Sequence, residues 1–544
     1  MPEFNYSKVR ASVFLSYIVI NIAKICEHPS VIAIFMLTLE HAGKKSGTGA
    51  ASRSIFHLEF FNKSDMLSQM YCNVSVFPGV QHGKVAYEMA ANSTAKSGNK
   101  ITEGIIWQQL LLYFFPLLFG SFFQQLYNTV DAVIVGRFVG KEALAAVGGS
   151  AAVLVNYFVG FFNGLSAGAA VVISQYYGAR SDKDVSDAVH TSVALAIAGG
   201  LAIMLIGVFG SPAAVRLMGT PEETVADSIL YLRIFFCGMI PNLVYNMSAG
   251  ILRAVGDSKR PLYVLIVSCL LNIVLDLVFV VFLKMGVAGV ALATILCQLI
   301  CAVLVLVILA KSEGSFRFQP KLLRFNGVML RKIIAIGLPT GIQSTMYSIS
   351  NIIIQSAING FSTDAVSAWA AISKIDAIYW MLINSFGVAI TTFAGQNYGA
   401  GLLDRVRSCV RQSFVIAGGM TIVVSSFLYF YGWKLISLFS MDPDVMKLGT
   451  HMMQFLVSVY ITYFMIEVFS GALRGMGNSF APMLITVTFI CGLRILWLVV
   501  AMPHNHSIDT IMYSYPISWT VSSLLLMGYY LLYVHHLHPL KGKI

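Results

Sequence analysis

Charged residues are scarce in this chain: Asp, Glu, Lys and Arg make up 11% of its 544 residues, against about 25% in soluble globular domains. So few charges argue against a soluble protein. The eight cysteines form no CxxC pair and no regular framework, which leaves neither a disulfide scaffold nor a zinc module; Cys297 and Cys301, four apart, read as small buried residues. No HExxH motif occurs, and no extramembrane domain is available to host a catalytic constellation. No catalytic residue, no metal site and no enzymatic activity are therefore expected. His504, His506, His535, His536 and His538 have no metal-binding geometry and read as interfacial surface.

What the chain has in abundance is apolar residues, 57% of the total. From Lys100 onward they fall into twelve segments, each long enough for the roughly 17 to 25 residues of a bilayer-spanning helix. The first six are expected at 105–135, 148–174, 186–210, 225–252, 261–283 and 287–310. The second six are expected at 331–359, 367–396, 408–432, 447–473, 481–502 and 509–534. This predicts an all-α polytopic membrane protein.

The formal charge of +11 could suggest nucleic acid, but the basic residues cluster by topology. With the start of span 1 inside, nineteen Lys and Arg, including Arg180, Arg253, Lys311, Arg331 and Arg474, fall on that side. Six, including Arg137 and Lys447, fall on the other. The positive-inside bias places both termini in the cytoplasm of a cell-membrane protein and gives no reason to expect nucleic acid as a partner.

The chain is also internally duplicated. Gln175-Tyr-Tyr-Gly-Ala179 recurs as Gln396-Asn-Tyr-Gly-Ala400, and Gly250-Ile-Leu-Arg-Ala-Val-Gly256 as Gly471-Ala-Leu-Arg-Gly-Met-Gly477, both at one and the same offset. Pro261 and Pro482 keep that offset, while Pro116 and Asn128 recur as Pro339 and Asn351 at an offset two positions longer. A repeat of six spans has the same orientation in both copies, so two lobes related by an axis along the membrane normal are expected to face each other across a cleft. The expected organisation is an N-lobe over 101–311, a cytoplasmic linker over 312–330, a C-lobe over 331–535 and a tail over 536–544. Residues 1–100 stand outside this plan. Their apolar runs at 13–22 and 31–39 are too short to span, and the expectation is a functional start at Met89, with the preceding residues disordered or not normally translated.

Ionisable groups within spans are costly and mark function by default. In span 1, Gln124, Asn128 and Asp131 share one helix face; in span 5, Asn272 and Asp276 do. Thr294 in span 6 and Tyr231 and Asn246 in span 4 add polar groups. Two carboxylates shielded from water among such neighbours can bind a proton or a hard cation, with interhelical bonding as the structural alternative. The second half carries Gln343, Tyr347 and Asn351 on span 7, Lys374 and Asp376 on span 8, Glu467 on span 10 and Arg494 on span 11; Glu467 is expected to attract a cationic solute. Gly160, Gly164 and Gly168 form a doubled GxxxG suited to close helix packing. Pro116 and Pro339, inside spans 1 and 7, can act as hinges.

Together, Phe115-Pro116 through Phe122-Phe-Gln-Gln-Leu-Tyr-Asn-Thr-Val-Asp131, the Gln-x-Tyr-Gly-Ala segments and the paired Leu-Arg-x-x-Gly turns resemble the multidrug and toxic compound extrusion (MATE) family, in its prokaryotic DinF-like branch. The resemblance covers about residues 104–535. It implies export of amphiphilic, often cationic compounds by proton or sodium antiport, with an ion site at Asp131, Asn272, Asp276 and Thr294 and a cavity that Tyr231 and Asn246 help to line. No cofactor beyond the coupling ion is implied. The expected partners are small amphiphilic or cationic substrates and membrane lipid, and the protein is expected to act as a monomer. The other main bacterial branch has acidic residues in the seventh and tenth helices, whereas this chain has Gln343 in the seventh. The alternative reading is a flippase for lipid-linked oligosaccharide precursors, which would need a large cationic cavity.

Overall fold

The computed structural model describes residues 101–537; the expectations for residues 1–100 and for the tail beyond 537 lie outside them. Twelve helical spans are present, with no strand among the described residues. Spans 1 to 6 are Ile106–Val139, Lys141–Gly178, Asp182–Leu217, the pair Glu222–Cys237 and Met239–Ala254, Lys259–Phe282 and Gly286–Lys311. Span 7 is Gly327–Asn359. Spans 8 to 12 are Thr363–Gly399, Leu403–Ile436, Pro443–Gly475, Phe480–Ala501 and Ile508–His536. The lipid-facing surface is apolar, with Phe209, Val423, Phe430 and Leu532 all exposed. A helix satisfies its own backbone hydrogen bonds, which is what a hydrocarbon surround requires.

Two spans depart from straight apolar rods. Span 4 is broken, its two halves meeting at 50° around Gly238. Pro241 has no N–H for the Cys237 carbonyl, and the helix bends where that bond is missing. Span 7 is long enough to cross but too polar to pass a test of apolarity, the other eleven qualifying once the bent pair is counted as one. Part of its polar run is satisfied within protein: Gln343 Nε2 donates to Thr486 Oγ1 at 2.9 Å, and the Thr345 and Ser348 hydroxyls donate to the carbonyls of Gly341 and Ser344. Span 7 can be polar because other helices, not lipid, cover that face.

The packing exchanges segments between the two halves. Below Pro116, Leu110, Tyr113 and Phe114 of span 1 join the hydrophobic core of the second half. Beyond it, Ile134 and Val135 pack with Val280 and Val287 of the first half. Span 7 does the converse: Met329, Ile333 and Ile336 belong to the first core, Ile354 and Ile358 to the second. Each crossover falls beyond the repeated proline: Leu117 and Leu118 still pack on the second core, and Gly341 still meets Phe161 of span 2.

The crossings are tight. A Cβ on Gly164 would run into the Gly341 backbone, and one on Gly168 would lie 2.5 Å from the Gly337 Cα. The doubled GxxxG of span 2 therefore meets a second small-residue pair that flanks Pro339, and the backbones touch. The equivalent contact of span 1 with span 8 is made by side chains. Phe114 sits edge-on to Phe386 at 5.3 Å, the Tyr113 hydroxyl donates to Thr392 Oγ1 at 3.2 Å, and Ser121 and Ser385 are 3.3 Å apart.

At the basic end of the bundle the two Gln-x-Tyr-Gly-Ala copies cross each other. A Cβ on Gly178 would strike the Gln396 carbonyl, and one on Gly399 would strike that of Gln175. Each glutamine then caps the other half: Gln175 Nε2 donates to the Gly475 carbonyl at 2.8 Å, and Gln396 Nε2 to the Ala254 carbonyl at 2.6 Å. Donors and acceptors are both separated by the repeat offset, so the two bonds are one bond repeated by the pseudo-symmetry. The carbonyls sit at helix ends, which need outside partners. Both ends turn through a left-handed glycine, Gly256 at φ +96° and Gly477 at φ +90°. They close with the same pair of bonds, Asp257 to Leu252 and Gly256 to Arg253 in one copy, Asn478 to Leu473 and Gly477 to Arg474 in the other.

Two measurements check this arrangement. Gly178→Ala or Gly399→Ala should destabilise the purified protein by about 1–3 kcal/mol, read as a lower melting temperature in detergent. Gly419→Ala, which meets nothing within 4 Å, should not; equal melting temperatures would refute the backbone contact. Hydrogen exchange should show that Gln175→Ala exposes the amides around Gly477 and Gln396→Ala those around Gly256, each in the opposite half.

Candidate functional site

The structure separates the polar residues into a central cavity and a buried chamber. The cavity, about 420 Å³, lies between the halves above the glutamine pair and is lined from spans 1, 2, 4, 5, 7, 8 and 10. Pro116, Gln124, Asn246 and Glu467 line it, together with Asn163, Asn384, Ser166, Tyr245, Arg253 and Arg474. Glu467 is not a free anion. Arg474, two turns along span 10, holds its Oε2 at 3.2 Å, and the Tyr463 hydroxyl donates to Oε1 at 3.4 Å. Gly387 leaves room for this carboxylate, since a Cβ there would lie 2.6 Å from Oε2.

The chamber lies inside the first half. The carboxyls of Asp131 and Asp276 lie within electrostatic range of each other. Asp131 Oδ1, both Asp276 oxygens and both side-chain polar atoms of Asn272 are buried with no protein hydrogen-bond partner. Asp276 is 0% exposed and Asn272 1%. Each aspartate precedes a π-helical stretch, Val135–Val139 in span 1 and Leu277–Phe282 in span 5. Single π turns widen a helix, a distortion that recurs at functional sites. Tyr231 and Tyr127 lie within electrostatic range of Asp131. Thr294 is buried and donates to the Val290 carbonyl at 3.0 Å; one turn on, Cys297 is within electrostatic range of both carboxyls. Sequence reasoning misses Tyr127 and Cys297, although Tyr127 stands four residues before Asp131 and Cys297 three after Thr294, each on the same helix face.

The remaining candidates are placed elsewhere. Gln343 is 6% exposed and ties span 7 to Thr486 of span 11. The Tyr347 hydroxyl has no partner and lies within electrostatic range of Glu467. Asn128 and Asn351, the repeat-related pair, are exposed. Asp376 accepts from Trp380 Nε1 at 2.6 Å, and buried Arg494 stacks over Tyr515 at 4.3 Å. Among the described residues no group of three His, Cys, Asp or Glu could hold a metal ion.

The duplicated cores meeting at two prolines coincide with what comparison finds. The MatE family model matches residues 116–278 and 339–500, beginning at Pro116 and again at Pro339 and covering more than half of the chain. This chain belongs to the MatE family. As a MATE transporter it is a multi-pass membrane protein and not an enzyme. It is 28% identical over 439 residues to the probable multidrug resistance protein YoeA of Bacillus subtilis, covering 78% of this chain and 93% of that one. It is 26% identical over 403 residues to the probable multidrug resistance protein NorM of Thermotoga maritima, covering 72% and 84%. Its fold matches a crystal structure of a MATE protein in the bent conformation, with TM-score 0.76 and 21% identity over 81% of this chain and 98% of that one.

Proposed function

We propose that this MATE protein exports amphiphilic small molecules across the cell membrane by antiport with protons or sodium ions, its two lobes rocking about the central cavity. The observation that carries the reading is the Asp131–Asp276 pair. Two carboxylates facing each other in an apolar chamber repel strongly, and a proton shared between them or a cation bound to them removes that repulsion. The unpartnered Asn272 oxygen supplies a further ligand of the kind a hard cation takes. The multidrug-resistance names of the relatives point the same way.

Coupling is supported by the path of span 1. This helix carries Asp131 in the chamber and Gln124 on the cavity wall, and it changes lobes between Leu118 and Ile134. An ion that binds one arrangement of the lobes more tightly shifts the equilibrium by that difference in affinity, and one charge crossing 100 mV contributes about 2.3 kcal/mol. With the basic end facing the cytoplasm, the paired glutamines close the cytoplasmic side, and substrate would leave from this state to the outside. A flippase for oligosaccharide-linked lipid fits less well: a cavity of about 420 Å³ is in the usual range of about 300–1,000 Å³ for drug-sized ligands, not one for a long sugar chain.

Reconstituted liposomes with separately imposed proton and sodium gradients test the proposal. Asp131→Asn should lower gradient-driven efflux at least tenfold while the protein still inserts and folds, and the gradient that drives the unaltered protein names the ion. Undiminished efflux by the variant rejects the ion-site assignment.

A further inference from the structure

The pseudo-symmetry of the cavity is broken in one respect that changes its charge. Arg253 and Arg474 occupy equivalent positions in the two copies of the repeat, and both line the cavity. Two turns before Arg474 stands Glu467, which neutralises it at 3.2 Å. Two turns before Arg253, at the position equivalent to Glu467, stands Asn246, whose amide is committed to Asn242 at 2.9 Å. The guanidinium of Arg253 has no ion pair or hydrogen-bond acceptor among the described residues, and it lies within electrostatic range of the Tyr245 hydroxyl, also on the cavity wall. The lining thus holds two arginines and one glutamate and no other charged residue. The Asp131–Asp276 pair lies outside it, inside the first lobe, and does not balance the excess.

We propose that Arg253 is the anchor of a substrate subsite for an oxyanion, so that this transporter takes amphiphiles whose polar head is a carboxylate, sulfonate or phosphate ester rather than an ammonium. A cationic group within a membrane protein calls for a named partner, and the described residues supply none. A guanidinium presents a planar fork that matches oxyanions bidentately. Asn246 and Ser166 flank it in the place where the other half has a carboxylate and Gly387, so the head group enters at the position that Glu467 fills opposite. The apolar body of the ligand then lies against Leu262 and Leu265 on the wall of span 5. The subsite rests on the export reading for its purpose, but its occupancy is an equilibrium property that needs no ion gradient.

The test uses two probes with one fluorophore and opposite heads, dansylglycine and dansylaminoethyl-trimethylammonium, titrated onto the full-length protein purified in neutral detergent. Dansylglycine should bind at least tenfold more tightly. Arg253→Gln should lower its affinity about tenfold, and Arg253→Lys should keep most of it. Asn246→Glu copies the missing carboxylate into the first half and should abolish the preference, covering the case in which Arg253→Gln does not fold. Competition by short-chain phosphatidylglycerol but not phosphatidylcholine assigns the subsite to a lipid head group; competition by neither assigns it to a free solute. Tighter binding of the ammonium probe, or a charge preference untouched by Asn246→Glu, overturns the proposal. Gradient-driven efflux reads coupling and the ratio of the two probes' equilibrium affinities reads the subsite, so that loss of coupling and loss of the anion subsite are distinguished.

Discussion

The structure depends on backbones that touch. Span 2 crosses span 7 through Gly164 and Gly168 against Gly337 and Gly341, and crosses span 8 where Gly178 and Gly399 meet the glutamine carbonyls of the opposite copy. In lipid there is little hydrophobic drive to bring helices together, so association relies on close packing and on hydrogen bonds between helices. Glycine allows both. With no side chain between the helices, Gln175 and Gln396 can reach across to the carbonyls that end spans 10 and 4. A cleft bounded by such contacts has a closed end, and the cavity lies directly above it.

The exchange of spans 1 and 7 between the cores gives that closure its mechanical consequence. Each of these helices starts in one core and finishes in the other, changing over in the stretch that follows Pro116 or Pro339. A relative motion of the lobes must therefore bend or swing these two helices, and the proline in each removes the backbone bond that would resist. One crossing is sealed by glycine and the other by Phe114 against Phe386, so the two sides of the pseudo-dyad differ in what holds them together. Polar chemistry is divided in the same unequal way. The first lobe encloses the carboxylate pair, while the second contributes the neutralised Glu467–Arg474 pair to the cavity wall.

A duplicated sequence need not give a duplicated site. At Asn246 against Glu467 and at Ser166 against Gly387, the two copies differ in one cavity layer, and those two differences leave Arg253 without an anion. Charge in a binding cavity is set by such local pairings more than by overall composition, which here is basic for topological reasons. The expectation that Glu467 would draw a cationic solute came from counting its charge alone; the salt bridge to Arg474 removes that charge from the balance.

Much of the architecture was legible in the residues themselves. Apolar segments of spanning length, the constant offset between the repeated motifs and the side on which Lys and Arg accumulate are one-dimensional properties, so the number of spans and the two-lobe repeat could be read directly. The spacing of Gln124, Asn128 and Asp131, and of Asn272 and Asp276, likewise put each set on one face, because helical periodicity is local. The break in span 4 was not legible, since Pro241 bends a helix without interrupting its apolarity. Which faces meet was decided by tertiary packing alone: that Asp131 turns toward Asp276, that Gln343 is bonded to Thr486 rather than lining the cavity, and that Glu467 is paired with Arg474 while Arg253 is not. Those relations join distant helices or compare two equivalent positions in space, and neither the periodicity nor the composition of a single segment contains them.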